Sequence, residues 1–252
     1  MNPSKTRANA SIMRFIFLYL LFTVIVAVTN AEVPSTDRPD ESYTQDTHHA
    51  YFSGVPIKGA DVKTFQVLPG HHGWYATDAQ HVYIRGYSTP LDPRNLSIIG
   101  QCYAKDRRYV FYHNGSDESD RVNGASPESF TTLGSAYDCE WAEDNEHVYF
   151  GRTLVQRADP KTFVACNSRF GKDAAHVYLM EQVVADADPK TFTGYQEQVW
   201  FGKDKYHVFT STRPIPGADP NTFTISEGQT KSGQYFNAKD KKHKYFYNKV
   251  VE

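Results

Sequence analysis

The sequence predicts an all-β protein made of tandem β-hairpin repeats, about seven units with a period near 32, arranged as a curved or superhelical stack. Three observations predict it. An aspartate recurs at Asp46, Asp78, Asp106, Asp144, Asp173, Asp204 and Asp240, at intervals of 32, 28, 38, 29, 31 and 36 residues. Five residues after each stands an aromatic ring, and two residues before each stands a small residue. The chain is also rich in rings, with 17 Tyr and 16 Phe, which favour pleated, half-buried surfaces. A propeller-like ring of small blades is the alternative, although a unit of this length is thin for a four-stranded blade, which usually needs about 40 residues or more.

The chain opens on a segment of different character. Lys5, Arg7 and Arg14 precede the apolar run Phe15 to Val28, and the small-residue exit Thr29-Asn30-Ala31 follows. A basic start, an apolar centre and a small-residue exit are the parts of a secretory signal peptide over 1–31. An uncleaved N-terminal membrane anchor is the alternative. Residues 32–41 then form a flexible linker to one repeat domain over 42–252. Without the leader, 24 basic residues face 29 acidic ones, a net charge of about −5. Such a chain has no excess cationic field for a phosphate backbone, so nucleic acid is not expected as a partner.

The hairpin follows from the spacing. Let the aspartate and the residue three later (His49, His81, Tyr109, His147, His176, His207 and His243) close a four-residue turn. The carboxylate can then accept backbone N–H groups inside it. The position two before the aspartate (Thr44, Ala76, Ala104, Ala142, Gly171, Gly202, Ala238) falls opposite the ring five after (Tyr51, Tyr83, Phe111, Tyr149, Tyr178, Phe209, Tyr245). A small residue there leaves room for that ring. The other face carries the residue three before, aromatic in all units but the last, where it is Asn237, together with the residues four and six after. Both faces are apolar, so neighbouring hairpins must cover each other.

A second motif alternates with the first: ADVKTF at Ala60–Phe65, LDPRNL at Leu91–Leu96, ASPESF at Ala125–Phe130, ADPKTF at Ala158–Phe163 and Ala187–Phe192, and ADPNTF at Ala218–Phe223. Asp or Ser before Pro reads as an N-cap followed by the first position of a helical turn. Its closing Phe is a plug for the core. Together, KDRRYVFY, EDNEHVYF, KDAAHVYL, KDKYHVF and KDKKHKYFY joined by ADPKTF resemble the DKNYY family of bacterial repeat proteins, from about Ser42 to the C-terminus. That resemblance implies a repeat fold and a bacterial origin, and no activity. Tyr109, Lys244, Asn237 and Val62 depart from the pattern.

An aspartate and histidine that recur in six units read as scaffold, because an active site needs one convergent set. Function is expected in what does not repeat. Four stretches qualify: Pro69–Trp74, with His71, His72 and Trp74; His113–Gly124, with Asp117, Glu118 and Asp120; Gly194–Trp200, with Glu197; and Ile225–Gln234. No nucleophile elbow, zincin helix or phosphate-binding loop is present, and no cofactor or catalytic residue is assigned. Cys102, Cys139 and Cys166 allow one disulfide with a thiol left over, and the pair stays open. The expected protein is periplasmic or secreted and non-enzymatic. Its surface binds an envelope protein or glycan, or a toxin that it neutralises, without stable membrane insertion after signal cleavage. A hydrolase of envelope polysaccharide that uses non-repeated carboxylates is the alternative.

Overall fold

The computed structural model describes residues 42–70, 73–100, 102–113, 121–134 and 140–252. The expected signal peptide and linker lie outside the described residues. Seven small antiparallel sheets follow one another, covering 43–56, 66–89, 97–112, 131–154, 164–183, 193–209 and 224–250. Strands neighbour each other in chain order within every sheet. The fifth sheet shows the complete plan: a leading strand Val164–Ala165, hairpin strands Phe170–Lys172 and Val177–Leu179, and a trailing strand Gln182–Val183. In the third and sixth sheets the trailing strand shrinks to a bridge, Phe111 with Arg121 and Phe209 with Pro214. The first sheet begins directly with its hairpin.

The expected register holds in all seven hairpins. Thr44 faces Tyr51, Ala76 faces Tyr83, Ala104 faces Phe111, Ala142 faces Tyr149, Gly171 faces Tyr178, Gly202 faces Phe209 and Ala238 faces Tyr245. The aspartate turn sets it. In the fifth unit Oδ1 of Asp173 accepts the N–H of Ala175 at 2.8 Å and of His176 at 2.6 Å. Its Oδ2 accepts the Tyr178 hydroxyl at 2.9 Å and the N–H of Asp159 at 3.1 Å. The last bond is the important one, because Asp159 belongs to the preceding ADPKTF turn. The same bond joins Asp61 to Asp78, Asp92 to Asp106, Ser126 to Asp144, Asp188 to Asp204 and Asp219 to Asp240, at 2.8–3.0 Å. The two alternating motifs are thus halves of one hydrogen-bonded unit. Each ADPKTF segment makes a single turn, as expected, though only Pro93–Asn95 closes into a 3₁₀ helix.

The plug has a larger part than the sequence indicated. The small residue before each aspartate makes room for the closing Phe of the preceding turn, and the hairpin's own ring is secondary. A Cβ added at Gly171 would lie 2.2 Å from Phe163 Cζ, and one at Gly202 would lie 2.3 Å from Phe192 Cζ. Each plug sits between two rings. Phe163 lies 4.9 Å from Trp141 of the preceding sheet and 6.0 Å from Tyr178 of its own. Phe65, Phe130, Phe192 and Phe223 repeat the arrangement. The outcome, among the described residues, is six apolar clusters, one at each junction between successive sheets. The sheets therefore stack in sequence, each contacting its neighbours.

Departures from the repeat fall where the stack ends. Among the described residues the first hairpin has no plug before it, and Thr44 stands exposed in place of the small residue. In the last sheet the face that would meet an eighth unit carries Asn237 and Lys244, and Phe246 is 41% exposed. Polar outer faces at both ends are what a finite array needs to stay soluble.

Two predictions follow from the aspartate hub. Asp173→Ala leaves buried donors from two elements without an acceptor and should destabilise by about 2–4 kcal/mol, read from urea melts. The hub also fixes the acid response. Burial alone would raise the carboxyl pKa of Asp240, but the Tyr245 hydroxyl and the N–H groups of Asp219, Lys242 and His243 outweigh it and hold it at about 2. Asp78, Asp144 and Asp173 are lowered for the same reasons. Each folded value lies below the unfolded one of about 3.9, so this stability is complete above about pH 4 and is lost as pH falls toward about 2. Denaturation midpoints should drop between about pH 4 and about pH 2, and the drop should shrink in Asp240→Asn.

Candidate functional site

An antiparallel meander sorts its turns to two ends. The aspartate turn and the ADPKTF turn meet at one end of each sheet, here called the tip. The loop before the hairpin and the turn after it fall at the opposite end, the base. Bonds between sheets keep base beside base: the Tyr43 hydroxyl donates to Trp74 O at 3.1 Å and accepts the Gly86 N–H at 2.8 Å, and Trp141 Nε1 donates to Asn167 O at 3.1 Å.

The tips carry the repeated chemistry. Nδ1 of His81, His147, His176, His207 and His243 lies 3.2–3.8 Å from Oδ1 of its own aspartate. Every one of these rings packs 5.9–6.1 Å from the aromatic two residues on. Geometry copied this closely belongs to the turn itself. Among the described residues no group of three or more His, Cys, Asp or Glu could hold a metal ion. The lysine before the aspartate also has a structural task. Lys105 Nζ donates to Pro127 O at 2.7 Å and Phe130 O at 3.0 Å, Lys172 to Phe192 O at 2.8 Å, and Lys203 to Pro220 O at 3.0 Å. Each lysine so caps the carbonyls of the next turn. The fourth unit has Glu143 there. Its Oε2 is buried without a hydrogen bond, and burial, then the neighbouring Asp144, pushes its carboxyl up.

Of the described residues in the four non-repeated stretches, 69–70, 73–74, 195–200, 230–234 and His113 fall at the base, whereas Ile225–Gln229 runs along the leading strand of the seventh sheet. Residues 69–70 with 73–74, 195–200 and 230–234 belong to the connections from leading strands to hairpins, and His113 follows the third hairpin. Trp74 packs edge-on against His113 of the next sheet, with ring centroids 4.6 Å apart. Glu197 is exposed. His71, His72, Asp117, Glu118 and Asp120 lie outside the described residues.

Between these loops runs a strip that sequence reasoning did not single out. Tyr112 stacks near His113 at 6.4 Å, and its hydroxyl donates to Glu140 Oε2 at 3.1 Å. Burial, then the Glu140 charge, pushes the Tyr112 phenol up to about 12, against the opposing pull of Arg169 and Arg152. The Arg169 guanidinium lies 5.8 Å from the Phe150 ring centroid and 5.0 Å from that of Trp200. Tyr247 stacks on Phe201 at 6.2 Å. Rings and charged heads therefore pass from the second sheet to the seventh. The signal in the sequence was faint: Glu140 and Arg169 stand immediately before the aromatic of their units, at a position held elsewhere by Ser42, Trp74, Cys102, Trp200 and Phe236.

Cys102 is disulfide-bonded. Cys166 is free, and burial raises its pKa to about 11, which keeps it a thiol at neutral pH. Cys139 lies outside the described residues.

The model of the DKNYY family matches the chain over residues 43–213 and, overlapping, 103–249. The chain belongs to the DKNYY family. No curated protein and no solved structure matches it. In this DKNYY protein the repeated residues build the tips and the junctions. Glu143 departs from that scaffold in a way the repeat itself explains. A lysine there should reach the carbonyls of Pro160 and Phe163 as its counterparts reach theirs. Glu143→Lys is expected to stabilise by about 1–2 kcal/mol, seen as a higher denaturation midpoint.

Proposed function

We propose that this DKNYY protein is an exported, non-enzymatic repeat protein whose base end binds another macromolecule of the cell envelope, a protein or glycan, or a toxin that it neutralises. One observation supports the reading: described residues of these stretches, among them Trp74, His113, Glu197 and Thr230, are far apart in the chain, yet each lies at the base end of its own sheet. Repetition fixes the scaffold, and variation is free only where the scaffold does not need the residue. The composition of the strip supports the same reading. Trp, Tyr and Arg dominate binding hot spots because they combine large area with directed polar groups. Trp74, Tyr112, Arg169 and Trp200 are partly exposed, so each offers a face while its other side is held. The basic start, apolar run and small-residue exit of residues 1–31 support export.

The mature chain, immobilised, should retain a specific component of envelope extract that mass spectrometry identifies. With that component purified, Trp200→Ala should weaken binding by about tenfold or more, while the tip variant Lys161→Ala leaves it unchanged. Equal affinity for both variants would remove the base end from the interface. N-terminal sequencing of the envelope fraction should start at Glu32; a chain that keeps its leader would contradict export by cleavage.

A further inference from the structure

The third unit breaks the repeat at its tip, and the break leaves unused donors beside a cavity. In five units a hydroxyl of the ADPKTF-type turn accepts the N–H of the first tip residue: Thr64 from Ala79, Ser129 from Asn145, Thr162 from Ala174, Thr191 from Lys205 and Thr222 from Lys241, all at 3.0–3.2 Å. The third unit has Asn95 in that place. Its amide turns back and donates to Asp92 Oδ2 at 3.0 Å. The Arg107 N–H is left without an acceptor among the described residues.

The histidine is replaced as well. Tyr109 stands there, with its ring under the guanidinium groups of Arg108 and Arg121 at 5.2 and 4.0 Å. Arg108 reaches Asp106 at 3.6 Å and donates to Pro90 O at 3.0 Å. A cavity of about 440 Å³ opens here, lined by Asp92, Arg94, Asn95, Asp106, Arg107 and Arg108. Its two carboxylates are already engaged. Asp106 accepts the N–H groups of Arg108, Tyr109 and Asp92, and its side chain is 1% exposed. Asp92 accepts the Arg94 guanidinium at 2.9 and 3.0 Å. The cationic heads face outward instead: the Arg94 side chain is 83% exposed and that of Arg108 61%.

We propose that this cleft is a binding site for a phosphoryl group. Planar guanidinium forks and a free backbone N–H supply more donors than the two oxygens of a carboxylate accept, and they suit the several oxygens of a tetrahedral oxyanion. The site is local, because the chain as a whole is acidic. It is also separate from the base end, so the two readings stand or fall independently.

The test is calorimetric titration of the mature chain with inorganic phosphate at low ionic strength, with acetate as a competitor. Saturable binding that acetate does not displace at equal concentration is expected. Arg107→Ala should weaken it by about tenfold. Asn95→Thr is the sharper variant. It changes no charge, restores the hydroxyl that takes the Arg107 N–H, and should weaken binding several-fold with an unchanged or raised melting temperature. Trp200→Ala should bind phosphate as the parent does. Co-sedimentation with phosphatidylglycerol vesicles separates the sources: pelleting that Arg107→Ala abolishes assigns the group to a lipid headgroup, and phosphate binding without pelleting assigns it to a soluble phosphate. Absence of saturable binding in both arms, equal displacement by acetate, or parent-like affinity in both Arg107→Ala and Asn95→Thr would overturn the proposal.

Discussion

The fold depends on one carboxylate used from several sides. The turn aspartate orders its own hairpin through two N–H groups, positions the ring five residues on through its hydroxyl where that ring is Tyr, and holds the preceding ADPKTF turn through one more N–H. That last bond crosses 14 to 21 residues, so a local turn residue also fixes how one unit joins the next. A buried carboxylate is costly unless its lone pairs are filled. Here every donor comes from the repeat itself, so the cost is met in the same way at each junction. Asp46 is the informative exception. No turn precedes it among the described residues, and it stays exposed.

Once the turn is pinned, the plug follows. Its closing Phe is delivered onto the small residue of the hairpin and under the ring of the sheet before. Each junction is then a closed apolar cell of similar content, and stability is close to a sum over neighbours. Such an array needs no closing contact between its ends. The exposed Thr44 strand and the Asn237, Lys244 and Phe246 face are consistent with that, because a ring would bury both. Short sheets of three or four strands, marginal alone, are held by this stacking on both faces.

The period, the hairpin register, the turn role of the aspartate and the one-turn character of ADPKTF were legible in the sequence, because all of them act within a few residues. Two things were not. The bond between the motifs was hidden because nothing in the spacing says which N–H a carboxylate will accept when several lie near. The seat of the plug was not legible because Gly171 faces two rings, its register partner Tyr178 and the incoming Phe163, and only geometry shows that the second also needs the room. For the candidate site, Trp74 and Glu197 were placed at the base as described residues, but Tyr112, Glu140, Arg152 and Arg169 were missed. They do not sit in the non-repeated stretches themselves. They stand inside well-ordered units and gain meaning only when sheets from different parts of the chain are laid side by side.

A repeat protein supplies its own control at every position. A residue that recurs with the same partners is explained by the scaffold, as the histidines of the tips are. A residue that departs needs its own account, and the departures fall into three groups. Those at the two ends remove apolar surface. Glu143 leaves a carboxyl where lysines cap carbonyls, a local loss that the neighbouring contacts tolerate. The third unit differs from both. Asn95 and Tyr109 depart together at one tip, with Arg107 and Arg108 between them in the fold and a cavity beside them, and the core beneath is intact. Loss of a structural hydroxyl alone would leave an unsatisfied N–H and nothing else. Its coincidence with clustered guanidinium groups gives that N–H a charge environment in which an oxyanion is the fitting complement.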